Sequence, residues 1–261
     1  MDAFPYLWSN TLFKVNLTTW AMTVLTGLIV FIVLRLGVRH LDMRHPRGMQ
    51  NLLESAVEFT SNIAKNTMPN QQAVRWVLPF AFTTLIYLFV ANWLGLVATV
   101  ALHMQHPLPW LGLTATALAT AHGKVILLDS PTANMSFSLG LALLVWLISH
   151  GRGLRHPKMW LKHFISPSPF MLPFNIIEEF TNPLTHGMRL YGNIFAGEAL
   201  IGVLVGAPLL WGFVPWSMPL LFVWLIYSAF VSTIQAYVFT ILLTLYIGNK
   251  SHEPQEVHHG L

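Results

Sequence analysis

Five long apolar runs separated by short polar connections dominate this chain, near Leu17 to Val38, Val77 to Leu102, Met135 to Ser149, Pro173 to Val205 and Trp216 to Ile247. A helix needs roughly 20 mostly apolar residues to cross the hydrocarbon of a bilayer. The pattern therefore predicts an all-α integral membrane protein with about five membrane helices. The third run is short and extends back through Pro131. The last two exceed a perpendicular crossing, which predicts steep tilt, bending or a stretch along the membrane plane. The uncharged segment Gly206 to Pro215 then becomes the turn of a long antiparallel helical hairpin. Between the first two runs, Arg47 to Met68 set Met49, Leu52, Leu53, Ala56, Val57, Phe59 and Ile63 among polar residues. That spacing predicts an amphipathic helix on the membrane surface, read equally well as a connector or as a partner-docking helix.

Composition agrees with the hydropathy. Of 261 residues, 54% are hydrophobic and 9% charged, against about 25% charged in a soluble domain. With no cysteine, the chain has no disulfide framework, thiolate metal site or cysteine nucleophile. The first sixteen residues hold Asp2, Pro5 and four aromatics with no basic region before an apolar core, unlike a cleaved signal peptide. Short-loop basic residues set orientation. Arg39, Arg44, Arg47, Lys65 and Arg75 fall in one connection, and Arg152, Arg155, Lys158 and Lys162 in another. Both are predicted cytoplasmic. The opposite connections hold only Lys124, so the N-terminus is expected outside and the tail containing Lys250 inside. The net charge of +4 is thus topogenic and does not call for nucleic acid.

The chemistry concentrates in residues 178 to 198. Arg189 keeps its charge at any physiological pH and lies in a bilayer-length apolar stretch, where a charge costs at least about 2.5 kcal/mol and marks a functional path or partner. At about 100° per residue, Glu179, Asn182, His186, Arg189 and Asn193 follow at spacings of three, four, three and four and share one helix face. Glu198 lies nine positions after Arg189, about 180° around and about 13 Å further along the axis. The arginine suits an electrostatic gate, while Glu198 and the group of Glu178, Glu179 and His186 suit proton relay or access from the two sides. Other readings remain open. His186 can serve as a hydrogen-bonding residue near an interface, Glu178 and Glu179 as headgroup-level residues at a helix start, and Arg189 as an internal salt-bridge partner. Pro183 is a possible break in the stripe.

The final run adds Ser228, Ser232, Gln235 and Tyr246. Gln235 is the bulkiest neutral polar group there and a candidate hydrogen-bond partner of Arg189, whereas Ser228 and Ser232 also suit helix packing. Gly123-Lys124 lacks the upstream glycine of a P-loop, so no nucleotide site is expected. No Ser/His/Asp set is positioned by a motif, and the loop pairs His103 and His106, or His258 and His259, are expected to be solvated. No cofactor or metal is expected, and no covalent catalysis by this chain.

The run Arg189-Leu190-Tyr191-Gly192-Asn193-Ile194-Phe195-Ala196-Gly197-Glu198 closely resembles the signature of subunit a of bacterial F-type ATP synthases. The resemblance extends to Thr84-Leu85 and Asn92-Trp93-Leu94-Gly95-Leu96 in the second span and to Ser130-Pro131-Thr132-Ala133-Asn134 before the third. It continues through Pro173 with Glu178-Glu179 and Gln235-Ala236-Tyr237-Val238-Phe239 in the last helix, and so covers nearly the whole chain. It implies a stator subunit of the bacterial cytoplasmic membrane. The last two helices would curve around a ring of c subunits, with a subunit b stalk and the other synthase subunits as further partners and catalysis elsewhere. Two aqueous half-channels would carry protons, with sodium the alternative ion. Arg189 would separate them while pairing transiently with c-subunit carboxylates, Glu198 would serve the outer one, and Gln235 would flank the arginine. Asn134 stands where an aspartate is common, Val97 where a proline is frequent, and Ser228 where some members have a histidine that works with the glutamate.

The resulting expectation is one membrane domain over 1–261. It comprises an external N-terminus (1–16), a cytoplasmic loop with the amphipathic helix (39–75), the tilted hairpin carrying the proton path (173–247) and a cytoplasmic tail (248–261). A self-contained secondary transporter with a midplane Arg/Glu site is the alternative, but it predicts paired repeats with broken helices, and the chain shows no internal repeat. A purely structural scaffold would tolerate neutralisation of both Arg189 and Glu198.

Overall fold

The computed structural model describes residues 4–7, 15–39, 48–68, 70–97, 100–104, 106–109, 113–154, 157–165, 168–210 and 214–250. Its helices are α1 (Leu17–Gly37), α2 (Met49–Thr67), α3 (Gln71–Val97), α4 (Ala115–Thr120), α5 (Met135–Gly153), α6 (Pro157–Ile165), α7 (Leu172–Val205) and α8 (Met218–Asn249). Among the described residues there are also three two-stranded antiparallel ribbons: β1 (Tyr6–Leu7) with β2 (Val15–Asn16), β3 (Val100–His103) with β4 (Lys124–Leu128), and β5 (Leu209–Leu210) with β6 (Val214–Pro215). Among the described residues, five helical segments are long and apolar enough to cross a membrane: Leu17–Gly37, Gln71–Leu96, Met135–Gly153, Pro169–Val205 and Met218–Asn249. The chain is a multi-pass membrane protein, and the surface-type pattern after Arg47 becomes α2. The tail beyond Lys250 and the pair His258 and His259 lie outside the described residues.

Two boundaries differ from the sequence expectation. The second run does not stay helical to Leu102, because Val100 to His103 pair with β4 in the register Ala101↔Ile126, Leu102↔Val125 and His103↔Lys124. The β-branched Lys124-Val-Ile-Leu-Leu segment gives that apolar tail a strand partner, which satisfies its backbone without a helix. The third run does not extend back through Pro131. Pro131–Ala133 form a single 3₁₀ turn, and Asn134 is extended. The Asn134 carboxamide oxygen accepts from the N–H groups of Ser136 (3.0 Å) and Phe137 (3.3 Å), capping α5. Its Nδ2 donates to Thr19 Oγ1 at 3.1 Å, a bond an ionised aspartate at this position has no hydrogen to make.

Helix α7 runs unbroken through Pro183. A proline lacks the N–H that would bond the carbonyl four residues earlier, here that of Glu179. The indole N–H of Trp146 donates to that carbonyl at 3.1 Å. A ring on α5 thus replaces the missing ladder bond, and the polar stripe keeps its phase.

Packing divides the chain into two compact units. The first comprises Met1–Arg39, Ile86–Ser138 and Arg189–Ala236. A buried polar network holds it: Asn92 donates to the Ser232 carbonyl (3.2 Å) and accepts from Thr132 Oγ1 (2.8 Å), while Ser130 and Thr132 hydroxyls pair at 2.7 Å. In lipid such bonds replace the hydrophobic effect as the specific glue between helices, each contributing about 0.6–2 kcal/mol. The second unit comprises His40–Leu85, Leu139–Met188 and Tyr237–Leu261. There Thr67 and Thr244 hydroxyls bond at 2.9 Å, Ser149 donates to the Tyr246 carbonyl at 2.7 Å, and Arg152 lies 4.7 Å over the ring of Trp76.

Gly248 fixes how closely α8 approaches the end of α2. A Cβ there would lie 2.9 Å from the Thr67 carbonyl oxygen, a backbone atom with little freedom to retreat. At Gly140 a Cβ would meet nothing within 4 Å. Gly248→Val is expected to destabilise the subunit by about 1–3 kcal/mol, the scale of overpacking, and Gly140→Ala not at all. Thermal unfolding of the detergent-solubilised protein checks this, and equal midpoints would contradict the close approach.

Candidate functional site

Helix α7 carries the predicted residues from Glu178 to Glu198 and α8 carries Ser228 and Gln235, but the stripe on α7 does not face one uniform environment. Its members meet different neighbours along the helix, and each neighbour decides what its partner can do.

In the second unit, Glu179 is largely withdrawn from solvent and is not a free headgroup-level carboxylate. Its Oε1 accepts from Lys250 Nζ, and His150 Nε2 lies 3.3 Å away. A cavity of about 430 Å³ opens beside it, lined by Glu178, Glu179, Asn182, Ser149, Tyr246 and Lys250 among others. Glu178 is exposed, one residue around the helix from Glu179. Lys250 lies just past the end of α8, and its pKa is lowered by burial, which the neighbouring Glu179 carboxylate partly opposes. His186, expected with Glu179 as an access group, is buried among aromatic rings. Its ring centroid is 3.8 Å from that of Phe239 and 5.7 Å from that of Tyr246. The bulky rings of α8 at these positions take the space that water would need.

In the first unit, Arg189 is exposed. Among the described residues no carboxylate pairs with it. The expected bond from Gln235 to Arg189 is not formed. Buried Gln235 accepts from Asn193 Nδ2 at 2.6 Å through its Oε1, because Asn193 lies one helical turn beyond the arginine. The cation is left facing outward.

Glu198 sits among groups that the sequence motif did not single out. Its carboxyl interacts with the Asp129 side chain and with the backbone N–H of Ser130, while its buried Oε1 has no hydrogen-bond partner. Gly95 makes this approach possible: a Cβ there would collide with Ser130 and lie 2.8 Å from Glu198 Oε1. Asp129 precedes the recognisable Ser130-Pro131 motif by one residue, and a charge at the mouth of a span was the signal available. Ser228 is buried with an unpartnered hydroxyl. It lines a cavity of about 120 Å³ together with Asn193, Gly197, Trp224 and Ser232. Among the described residues no group of three or more His, Cys, Asp or Glu is placed to hold a metal.

The arrangement sets two carboxylates, Glu179 and Glu198, along α7 with a permanent cation between them in sequence, and a polar cavity beside Glu179. It is a geometry for passing protons, not for making or breaking covalent bonds. Comparison with known proteins leads to the same place. The sequence profile described as ATP synthase A chain matches residues 20–248. The ATP synthase subunit a of Oceanobacillus iheyensis is 39% identical over 241 residues, covering 91% of each chain. That of Anoxybacillus flavithermus is 38% identical over 257 residues, covering 97% of this chain and 98% of its own. The Bacillus subtilis protein of the same name is 36% identical over 251 residues, or 91% and 93%. With its membrane helices, its α7 arginine and a match over most of its length, this chain belongs to the ATP synthase A chain family.

Proposed function

We propose that this chain is the stator subunit of the proton-translocating F-type ATP synthase, conducting protons to and from a ring of c subunits through two aqueous half-channels. The observation that carries the reading is Arg189: exposed on a bilayer-length helix, with no carboxylate among the described residues to neutralise it. A charge so placed requires a partner outside the chain or a water-filled path, and a c-subunit carboxylate that comes and goes with rotation supplies both. The apolar residues of α7 and α8 left exposed in the isolated chain, among them Met188, Phe195, Phe222 and Phe230, suit a surface shared by lipid and that ring. Catalysis then belongs to other subunits, with subunit b among the partners. Short-loop arginines and lysines support an outside N-terminus and a cytoplasmic C-terminus in the bacterial cytoplasmic membrane.

Each carboxylate cluster then has a side. The Glu178 and Glu179 cavity, which also holds Lys250, opens the cytoplasmic half-channel. Glu198 with Asp129, Ser130 and Ser228 serves the outer one, and the Asn193–Gln235 bond braces the segment next to the arginine. Asp129 and Glu198 are carboxyls in contact, and such a pair is best satisfied with one proton between them, a suitable store for a relay. Family membership weighs against the self-contained transporter.

Arg189→Ala is expected to abolish ATP-driven proton pumping by the assembled enzyme in inverted membrane vesicles; retained pumping would overturn the proposal. Glu198→Gln is expected to leave assembly intact and slow coupled proton passage by about tenfold to 100-fold, toward the lower range of what a positioned acid–base group contributes. Gly95→Ala should slow it too by displacing Glu198. Unchanged ATP synthesis rates in both variants would remove Glu198 from the path.

A further inference from the structure

The Lys250 contact is not explained by fold stability. Its lowered pKa, caused first by burial with Glu179 opposing, means that the folded protein holds the Lys250 proton less readily than the unfolded chain does. Between the lowered and the ordinary lysine pKa the unfolded state binds more protons, so stability rises with pH through that window. Below it the buried charge is a net cost. A charge kept at a cost beside a cavity invites a functional account.

Its geometry is directional. His150 Nδ1 lies 3.0 Å from the Trp146 carbonyl oxygen, which accepts only, so Nδ1 carries a hydrogen and Nε2 is the ring nitrogen turned toward Lys250 and Glu179. Lys250 Nζ is 3.0 Å from that Nε2 and donates to Glu179 Oε1. Trp146 also donates from its indole to the Glu179 carbonyl. Side chain and backbone of Glu179 are therefore both fixed from α5 and from the end of α8. Glu178 lines the same cavity, is exposed, and makes no ion pair among the described residues. Adjacent carboxylates in unlike surroundings take unlike roles.

We propose that Lys250, braced by His150, is a positioning residue that clamps the Glu179 carboxylate at the cavity wall, leaving Glu178 as the carboxylate that exchanges protons with water. The inference rests on reading the cavity as the cytoplasmic proton route. The clamp acts by charge: a neutral side chain of similar length leaves the Glu179 carboxylate buried and uncompensated, and a guanidinium restores the pairing.

The test measures passive proton flux at fixed voltage through membrane vesicles stripped of the catalytic sector, normalised to the amount of assembled membrane sector. Lys250→Gln is expected to reduce flux several-fold and Lys250→Arg to restore most of it. Lys250→Gln combined with Glu179→Gln should be no slower than Glu179→Gln alone, since the lysine acts through that carboxylate. Equal flux in Lys250→Gln and Lys250→Arg, or effects of Lys250→Gln and Glu179→Gln that simply multiply, would overturn the clamp. If Lys250→Gln fails to assemble, the comparison passes to Lys250→Arg against His150→Asn, where the proposal requires Arg to conduct well and Asn poorly, and the reverse order overturns it. ATP-driven pumping by Arg189→Ala, measured in unstripped vesicles, reports separately on the wider reading, so its failure and that of the clamp are distinguishable.

Discussion

A charge that never leaves, placed where charge is expensive, governs this protein. Arg189 cannot discard its proton, and its own chain supplies no carboxylate to neutralise it among the described residues. The internal salt-bridge reading of this arginine is therefore not what the structure contains. Asn193, the polar residue one turn beyond it, is taken by Gln235 instead of joining the guanidinium. Everything else about the reading, from a moving external carboxylate to separated water paths, follows from that uncompensated cation. In the proposed function, a proton approaching along either path would meet like charge at the arginine and turn toward the ring.

Holding such a helix in lipid requires bonds that ordinary apolar packing does not provide, and the chain meets this need with local substitutions for missing hydrogen bonds. Trp146 answers the carbonyl released by Pro183. Asn134 answers the free N–H groups at the start of α5. Asn92 bridges Thr132 and the Ser232 carbonyl. Within each unit the polar network lies next to a carboxylate, so the groups that hold the helices also shape the surroundings of Glu179 and Glu198. Where the backbone must come close, glycine stands: Gly95 beside Glu198 and Gly248 beside Thr67.

Most of the helical architecture was legible from hydropathy alone, because each crossing requires a long apolar run and few sequences supply one by accident. The last two long helices were legible for the same reason, and the amphipathic helix from the spacing of its apolar residues. The failures came where a partner on another segment or a single side chain decides the outcome. The strand at Val100 to His103 depended on β4 more than 20 residues away. The break before α5 depended on the side chain of Asn134. In the site, helical periodicity put Glu179, Asn182, His186, Arg189 and Asn193 on one face but said nothing about the facing side chains. Phe239 and Tyr246 turned His186 into packing, and Lys250, legible only as a tail charge, became the partner of Glu179. Asp129 was one residue outside a motif that was otherwise recognised. Periodicity reports the face of one helix, and pairing needs the second.

The central claim is that Arg189 is an electrical barrier between two proton routes, and proton leak through a complex whose ring is locked by a chemical cross-link tests it most directly. With rotation blocked, vesicles carrying the native arginine should hold a proton gradient, while those carrying Arg189→Ala should dissipate it, because the two routes then communicate without the ring turning. Locked Arg189→Ala vesicles as tight as the native ones would contradict the account.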